Sequence, residues 1–522
     1  MKEMEKINTV GFVTDKVEYT KNNKFKIVRG KRKYLSLQPT RRLSSLQCIV
    51  ENGVASPNCS GKVVDVKQKQ PLTPKDWSVS SWRKKPAKQQ PIYPDQDAVE
   101  KIVSHIKHLP PLVQAEEAKL LRFRLSEVCR GRGFVLQGGD CAESLEESTD
   151  GVRDTVRALF KMAMILMWGS LEPVVKIGRI GGQFAKPRSE DWEERDGQRL
   201  PCYRGDIVNG APFDLVSRIP DPRRMLAAYQ HSAGTTNLVR ALASGGFADL
   251  RNVKSWGMDW ASNTEKGRAY LDTAERIEEA VRFWETCGVS VQDPIIYSTE
   301  VFTSHEALLL PYEEALCRKD PLTGDMYATS GAFIWIGERT RDLDGAHVEF
   351  ARGVANPIGV KVGSGMKVDE LLCLCDILNP RNEMGRLTLI TRMGSKNLAS
   401  KLPYLVRALK KEGKNVVWIT DAMHGNTYKT SSGVKTRSWN HILEEVRDFF
   451  AVHRAEGTRA GGVHFEMTGK EVTECVGGMV DLKAESLSER YESLCDPRLN
   501  LSQSLELAFE IAEILKRQRQ HS

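Results

Sequence analysis

Phe134-Val-Leu-Gln-Gly-Gly-Asp-Cys-Ala-Glu-Ser144 is an apolar, strand-forming run that breaks at Gly138-Gly139 and then presents Asp140, Cys141 and Glu143 in quick succession. Buried strands read as short apolar runs bounded by glycine. A polar cluster just past such a strand is where α/β enzymes keep their chemistry, because loops at strand C-termini are exposed yet rigidly held. Taken alone, Cys141 reads equally as a small buried hydrophobe, the usual fate of a free cysteine.

The same grammar recurs outward from this stretch. Apolar runs at 174–178, 294–298, 333–337, 358–362, 386–390, 415–419 and 462–465 join 134–140 to give eight predicted strands, with amphipathic helical segments between most of them. Eight strands alternating with helices predict an α/β fold of the (β/α)8 (TIM) barrel type in preference to a doubly wound sheet. More than 100 residues separate the second and third runs, too many for one crossover. Extra helices are therefore predicted after the second strand, at about 220–290. The catalytic barrel is expected over 132–522. Before it, 71–131 reads as an N-terminal arm carrying Trp77 and Trp82, followed by helices interrupted at Pro110-Pro111.

Residues 1–70 hold 15 Lys/Arg against 6 Asp/Glu, so in a chain with formal charge +8 the remainder is near neutral. A near-neutral body does not suit nucleic acid. No apolar run approaches the roughly 18 residues of a membrane span, so no membrane partner is expected. The 11 cysteines show no C-x-x-C pair, which argues against a disulfide scaffold or zinc finger. The leader reads as a transit peptide, a disordered basic tail or a misplaced gene start. Its basic, acid-poor Arg41-Arg-Leu-Ser-Ser-Leu-Gln-Cys48 suits the first, and the charged Met1-Lys-Glu-Met-Glu-Lys6 does not.

At the ends of the predicted strands stand Arg179, Arg339, Lys361 and Arg392. In a barrel these converge on one mouth. Like charges crowded there repel unless an anion sits among them, and arginine forks suit carboxylate and phosphate. A second constellation, Cys141, His424, Glu466 and Asp496, combines thiolate, imidazole and carboxylate, a donor set suited to Mn, Fe, Co or Zn.

Together these motifs resemble the type II family of 3-deoxy-D-arabino-heptulosonate 7-phosphate (DAHP) synthases, in particular its plant plastid members. The residues carrying the likeness are Leu136-Gln-Gly-Gly-Asp-Cys-Ala-Glu-Ser144, Gly182-Gln-Phe-Ala-Lys-Pro-Arg-Ser189, Thr303-Ser-His-Glu306, Gly337-Glu-Arg-Thr-Arg341, Asp344-Gly-Ala-His347, Met423-His-Gly-Asn-Thr427, Glu466-Met-Thr-Gly469 and Cys495-Asp-Pro-Arg-Leu-Asn500. The resemblance implies the first step of the shikimate pathway to aromatic amino acids, in which phosphoenolpyruvate and erythrose 4-phosphate give DAHP and phosphate. It implies that Cys141, His424, Glu466 and Asp496 bind a divalent metal, most often Mn2+, with Co2+ an alternative. Arg179, Glu338, Arg339, Lys361 and Arg392 would surround phosphoenolpyruvate, with Glu338, Arg339 and Lys361 nearest the chemistry. Lys186, Arg188 and Ser189 would hold the phosphate of erythrose 4-phosphate. A homo-oligomer in the plastid stroma is the corresponding expectation, or the cytosol if the leader is not a transit peptide.

Two positions depart from the family pattern: Ala332 replaces a usual His, and Ala422 a usual Pro. They keep two alternatives open, a weakened regulatory paralogue and a synthase that condenses phosphoenolpyruvate with another sugar. The leader is open to direct test. A fluorescent protein fused behind residues 1–70 is expected to enter plastids, and diffuse cytosolic fluorescence would count against that address.

Overall fold

The computed structural model describes residues 16–19, 25–28, 72–244, 247, 249, 265–288 and 298–520. The chain divides into two units, Met1–Lys69 and Gln70–Ser522. In the first, an antiparallel pair, Lys16–Tyr19 with Phe25–Val28, is described; the rest of the expected leader lies outside the described residues.

The second unit is built on a closed parallel barrel. Its strands are β1 (Phe134–Gly139), β2 (Val174–Arg179), β3 (Phe302–Glu306), β4 (Phe333–Ile336), β5 (Ile358–Gly363), β6 (Leu387–Arg392), β7 (Val417–Thr420) and β8 (Gly462–Glu466). Each pairs with its neighbour in sequence, and β8 closes on β1. Register sets the level of the mouth: Gly139 is opposite both Arg179 and Glu466, and Gly363 is opposite Arg392.

One predicted strand is corrected. Thr303-Ser-His-Glu306 is not the loop after a strand at 294–298; it is itself part of β3. Residues 294–297 lie outside the described residues, and Ser298 is not in a strand. The polar composition of Thr303, Ser304 and His305 disguised a buried strand, since periodicity rules look for apolar runs. All three are buried, but they alternate: Ser304 faces the barrel interior and accepts from Gln137 at 3.1 Å, while His305 faces outward, 2.8 Å from Glu313 Oε1.

Alternation along the strands sorts the core. Phe134, Leu136, Ile334, Ile336, Ile358, Val360, Val362, Val463 and Phe465 join the cluster beneath the surrounding helices. Trp335 points the other way, over Arg179 and Lys361. A side chain at Gly359 would meet Trp335 and Phe333 at 2.8 and 2.9 Å, so glycine there makes room for the indole.

Outside the barrel are α1 (Gln96–Lys107), α2 (Ala115–Cys129), α3 (Thr149–Ser170), α4 (Arg223–Ser244), α5 (Glu265–Thr286), α6 (Ala346–Gly353), α7 (Val368–Leu378), α8 (Ser395–Lys411), α9 (Trp439–Ala455) and α10 (Leu501–Gln520). Asp95 caps α1 by accepting from Ala98 N at 2.9 Å, and Gln114 and Glu117 form a capping box on α2. The helices α4 and α5 occupy the predicted insertion. The arm's tryptophans find their surface: Trp77 Nε1 donates to Glu349 O at 2.9 Å and its ring lies on Gly353, while Trp82 Nε1 donates to Glu314 at 2.8 Å.

The N-terminal end of the barrel is plugged by α2. Leu121, Leu125 and Val128 cluster with Val135, Val175, Phe302, Phe333 and Ile390 from the strands. Ala332 belongs to this plug and is fully buried. An imidazole has no room there, so Ala332→His is expected to destabilise the fold by roughly 1–3 kcal/mol, as overpacking does. Differential scanning fluorimetry should show a lower Tm, with turnover little changed because the residue lies at the end of the barrel away from the mouth. A fall in turnover at constant Tm would contradict that placement.

Candidate active site

The mouth is organised by three carboxylates, two fully buried and one half-buried. Glu466 ends β8 and is fully buried. Arg179, at the end of β2, donates to its Oε1 at 3.0 Å; Arg437 stands 2.7 Å from its Oε2; His424 Nε2 is 3.1 Å from Oε1. Burial would raise its pKa, but His424, Arg437, Lys186 and Arg179 overcome this and hold the carboxyl well below the usual range.

Asp421 follows β7 and is also fully buried. It pairs with Lys361 of β5 and takes the Nδ1 proton of His424 at 2.6 Å. Its second oxygen accepts from the backbone N–H groups of Met423 and His424 at 3.0 and 3.2 Å, which fixes the turn carrying the imidazole. Burial pushes Lys361 down to about 8, against the pull of Asp421 and helped by Arg179 and Arg392. Arg179 and Lys361 share the Trp335 ring, and Arg392 ends the strand next to that of Lys361, opposite Gly363.

Beneath them a chain of polar contacts descends into the barrel. His464 receives Arg179 Nη1 at 2.7 Å and Lys361 Nζ at 3.1 Å on its Nε2, and its Nδ1 meets Gln137 Oε1 at 2.7 Å. Gln137 then donates to Ser304 Oγ at 3.1 Å. The Trp335 ring lies 5.2 Å from Arg179 and 5.7 Å from Lys361, a cation–π floor under both.

The third carboxylate is Asp496, which pairs with Lys186 and lies 3.2 Å from Lys435. Lys186, Arg437 and His424 hold it far below the carboxylate range in spite of burial. One donor atom each from His424, Glu466 and Asp496 lies within 4.8 Å of the others. The donor chemistry fits a cation. With Nδ1–H donated to Asp421, the His424 Nε2 faces Glu466 Oε1 at 3.1 Å. Two acceptors so close are stable only with a proton or a metal ion between them.

Cys141 is not in this trio. It is buried beside Cys495 and its Sγ meets Ser493 Oγ at 3.1 Å; its carbonyl receives Arg179 Nη2 at 3.0 Å. Burial and the Cys495 thiol push its pKa well up, so without a cation the sulfur is a thiol. The structure thus brings together three of the four expected ligands and leaves the fourth adjacent.

The remaining expected residues divide. Glu338 accepts from Gly363 N at 2.8 Å and Arg341 at 2.9 Å. Arg339 is exposed and donates to Ser189 Oγ at 2.7 Å, which joins the two expected substrate regions. Arg188 pairs with Glu193 at 2.8 Å. Arg392 is half-buried, and its Nε has no hydrogen-bond partner among the described residues.

Sequence reasoning passed over Asp421, Arg437, His464, Trp335 and Glu306. Asp421 had a signal, since an acid three residues before a candidate histidine in a turn is placed to orient it. Glu306 had one too, as the acid closing the Thr303–Glu306 motif. Its Oε1 is buried without a hydrogen-bond partner among the described residues, and burial raises its pKa against the field of Lys361, His424 and Arg179.

Glu143 shows how the second loop is held. Its carboxylate accepts from the backbone N–H groups of Gly181, Gly182 and Gln183 at 2.7, 2.8 and 2.6 Å. These precede Lys186. Each buried donor left unpaired costs about 1–3 kcal/mol. Glu143→Ala strands three of them, so its unfolding midpoint in urea should fall by the equivalent of at least about 3 kcal/mol; a change under about 1 kcal/mol would show that water replaces the carboxylate.

Comparison with known proteins agrees with this geometry. A family model described as the Class-II DAHP synthetase family matches residues 77–512. The chain is 49% identical over 441 residues to a phospho-2-dehydro-3-deoxyheptonate aldolase of Streptomyces coelicolor, covering 84% of this chain and 97% of that protein. It is 43% identical over 460 residues to the Neurospora crassa protein of the same name, covering 85% and 95%. With the Mycolicibacterium smegmatis aldolase AroG it shares 44% identity over 438 residues, covering 83% and 93%. The chain belongs to the Class-II DAHP synthetase family.

Proposed function

We propose that this protein is a DAHP synthase, which joins C3 of phosphoenolpyruvate to the aldehyde carbon of erythrose 4-phosphate and releases phosphate. The observation that carries the reading is the pair Arg179 and Lys361 over Trp335, with Arg392 at the end of the neighbouring strand, set beside the His424–Glu466–Asp496 trio. An anion site next to a candidate cation site is what condensation of an enol phosphate with an aldehyde requires.

In this reading phosphoenolpyruvate lies among these cations. Arg392, with a free Nε, and Lys361 meet its carboxylate and phosphate, while Arg179 is held rigid by Glu466 and His464 and contributes charge without reorganisation. Lys186, Arg188 and Ser189 hold the acceptor's phosphate. The Arg339–Ser189 hydrogen bond fixes the distance between the two subsites, so the reacting carbons meet in a defined orientation. Carbon–carbon bond formation leaves positive character on C2, where a water oriented by Glu338 adds, and the proton that water gives up balances the one taken by the aldehyde oxygen as it becomes a hydroxyl. Phosphate departs as the adduct collapses. His424, Glu466, Asp496 and Cys141 would hold a divalent ion, with Mn2+ the favoured identity and Co2+ the alternative. Bound there, the ion supplies a Lewis acid for the acceptor carbonyl.

The same reading takes the leader as a plastid address, supported by its basic, acid-poor composition. It also takes the protein as a homo-oligomer, for which exposed Phe283 and Trp284 on α5 offer an apolar face. Among the described residues no helix is long and apolar enough to cross a membrane.

Purified protein given both substrates should release phosphate and form DAHP. Chelation should abolish this and Mn2+ restore it; chelator-resistant turnover would remove the metal from the reading. Arg392→Ala should raise the KM for phosphoenolpyruvate more than that for erythrose 4-phosphate, and Arg188→Ala the reverse, so equal effects would merge the two subsites. The pH profile follows from Lys361. Its charge is present below about 8 and lost above it, so kcat/KM for phosphoenolpyruvate should decline as pH rises through about 8.

A further inference from the structure

Glu193 lies where three guanidinium groups meet. Arg188 Nη2 is 2.8 Å from its Oε1, Arg218 Nη1 is 2.6 Å from its Oε2, and Arg195 Nη2 is 3.6 Å from the same oxygen. One carboxylate among three permanent cations leaves the cluster strongly positive, beside the Lys186-Pro-Arg-Ser189 segment.

The partners are not equivalent. Arg218 is an anchor with a side chain only 2% exposed. It donates to the carbonyls of Pro212, Ala211 and Pro201 at 2.9, 3.0 and 3.2 Å, and its guanidinium lies 5.3 Å from the Phe213 ring. Arg188 is 22% exposed. Its main chain is pinned by Gln89, which donates to Arg188 O at 3.0 Å and accepts from Arg188 N at 2.8 Å. Its backbone is thus fixed while its side chain is held, among the described residues, by Glu193.

Glu193 itself is placed by a tight hairpin, Trp192–Arg195 paired with Gln198–Pro201. Asp196 and Gly197 at its tip have φ of 50° and 75°, the left-handed pair that a two-residue turn needs. The carboxylate cannot drift away from Arg188 while the hairpin is formed.

We propose that Glu193 is a resident competitor for the acceptor's phosphate: it occupies the Arg188 fork in the free enzyme and yields it to an incoming phosphate dianion while Arg218 retains it. This rests on the reading of Arg188 as part of the acceptor subsite. A dianion outbids a single carboxylate for a guanidinium, whereas an uncharged sugar has nothing to displace Glu193 with. The carboxylate thereby weakens occupation of the subsite by stray inorganic phosphate. Glu193 is a positioning residue that sets the affinity of the Arg188 fork for phosphate, with no contact to the reacting carbons.

The test compares wild type, Glu193→Gln, Glu193→Asp and Arg188→Ala, each checked for an unchanged circular dichroism spectrum. The readouts are KM for each substrate and the inhibition constant of inorganic phosphate against erythrose 4-phosphate. Glu193→Gln keeps an oxygen for Arg218 but loses the charge that competes. It should lower both KM for erythrose 4-phosphate and the inhibition constant of phosphate by roughly two- to fivefold, the scale of a partly exposed ion pair. KM for phosphoenolpyruvate should not follow. Glu193→Asp, one methylene shorter, keeps the charge near Arg218 and should shift the same way. If Arg188→Ala raises KM for erythrose 4-phosphate while neither Glu193 variant lowers it, the competitor role is overturned and the subsite stands. If Arg188→Ala leaves that KM unchanged, the subsite assignment and this proposal fall together.

Discussion

Everything at the mouth of this barrel depends on neutralising one buried carboxylate. Glu466 has no exposed surface, and an isolated charge there would cost many kcal/mol. Arg179 from β2, Arg437 from the hairpin strand Lys435–Arg437 and His424 from the turn after β7 surround it. Each comes from a different part of the chain, so the carboxylate ties β2, β7 and β8 together at their C-terminal ends. Removing one partner of such a group costs far more than the pair contributes, because the other is left buried and charged. The site is therefore also a structural keystone.

The polar interior follows from the same constraint. A barrel of eight strands leaves space only for side chains. The lower layers are apolar and closed by α2; the upper layers are His464, Gln137, Ser304, Lys361 and Asp421, each with a partner. A ligand arriving at the mouth meets cations already oriented by buried hydrogen bonds, so little reorganisation is needed when charge moves. Trp335 makes the boundary between layers, apolar below and a π face to Arg179 and Lys361 above.

The acceptor side is built differently. Arg188, Ser189 and Arg339 are partly or wholly exposed and carried on loops, steadied by Gln89 of the N-terminal arm and by the hairpin at 192–201.

Several features were legible in the residues alone. Runs such as Ile358–Val362 and Gly462–Phe465 announce buried parallel strands because both faces of such a strand are apolar or small. The Pro110-Pro111 break, helices at about 222–243 and 439–453 and the tryptophans in search of a surface follow from backbone chemistry and periodicity. The residues Arg179, Lys361, Arg392, His424 and Glu466, at or just past strand ends, could be named because barrels put their chemistry there, and Asp496 because its motif carries the family resemblance. The tertiary structure decided what local pattern does not encode. It made Thr303-Ser-His-Glu306 a strand, since only the folded chain supplies partners on both faces, Gln137 inside for Ser304 and Glu313 outside for His305. It set Asp421 and Arg437 as the partners of Lys361, His424 and Glu466, and it left the Cys141 sulfur beside Cys495 and outside the trio. Which charges neutralise which depends on distances between segments up to hundreds of residues apart, and those distances exist only once the barrel has closed.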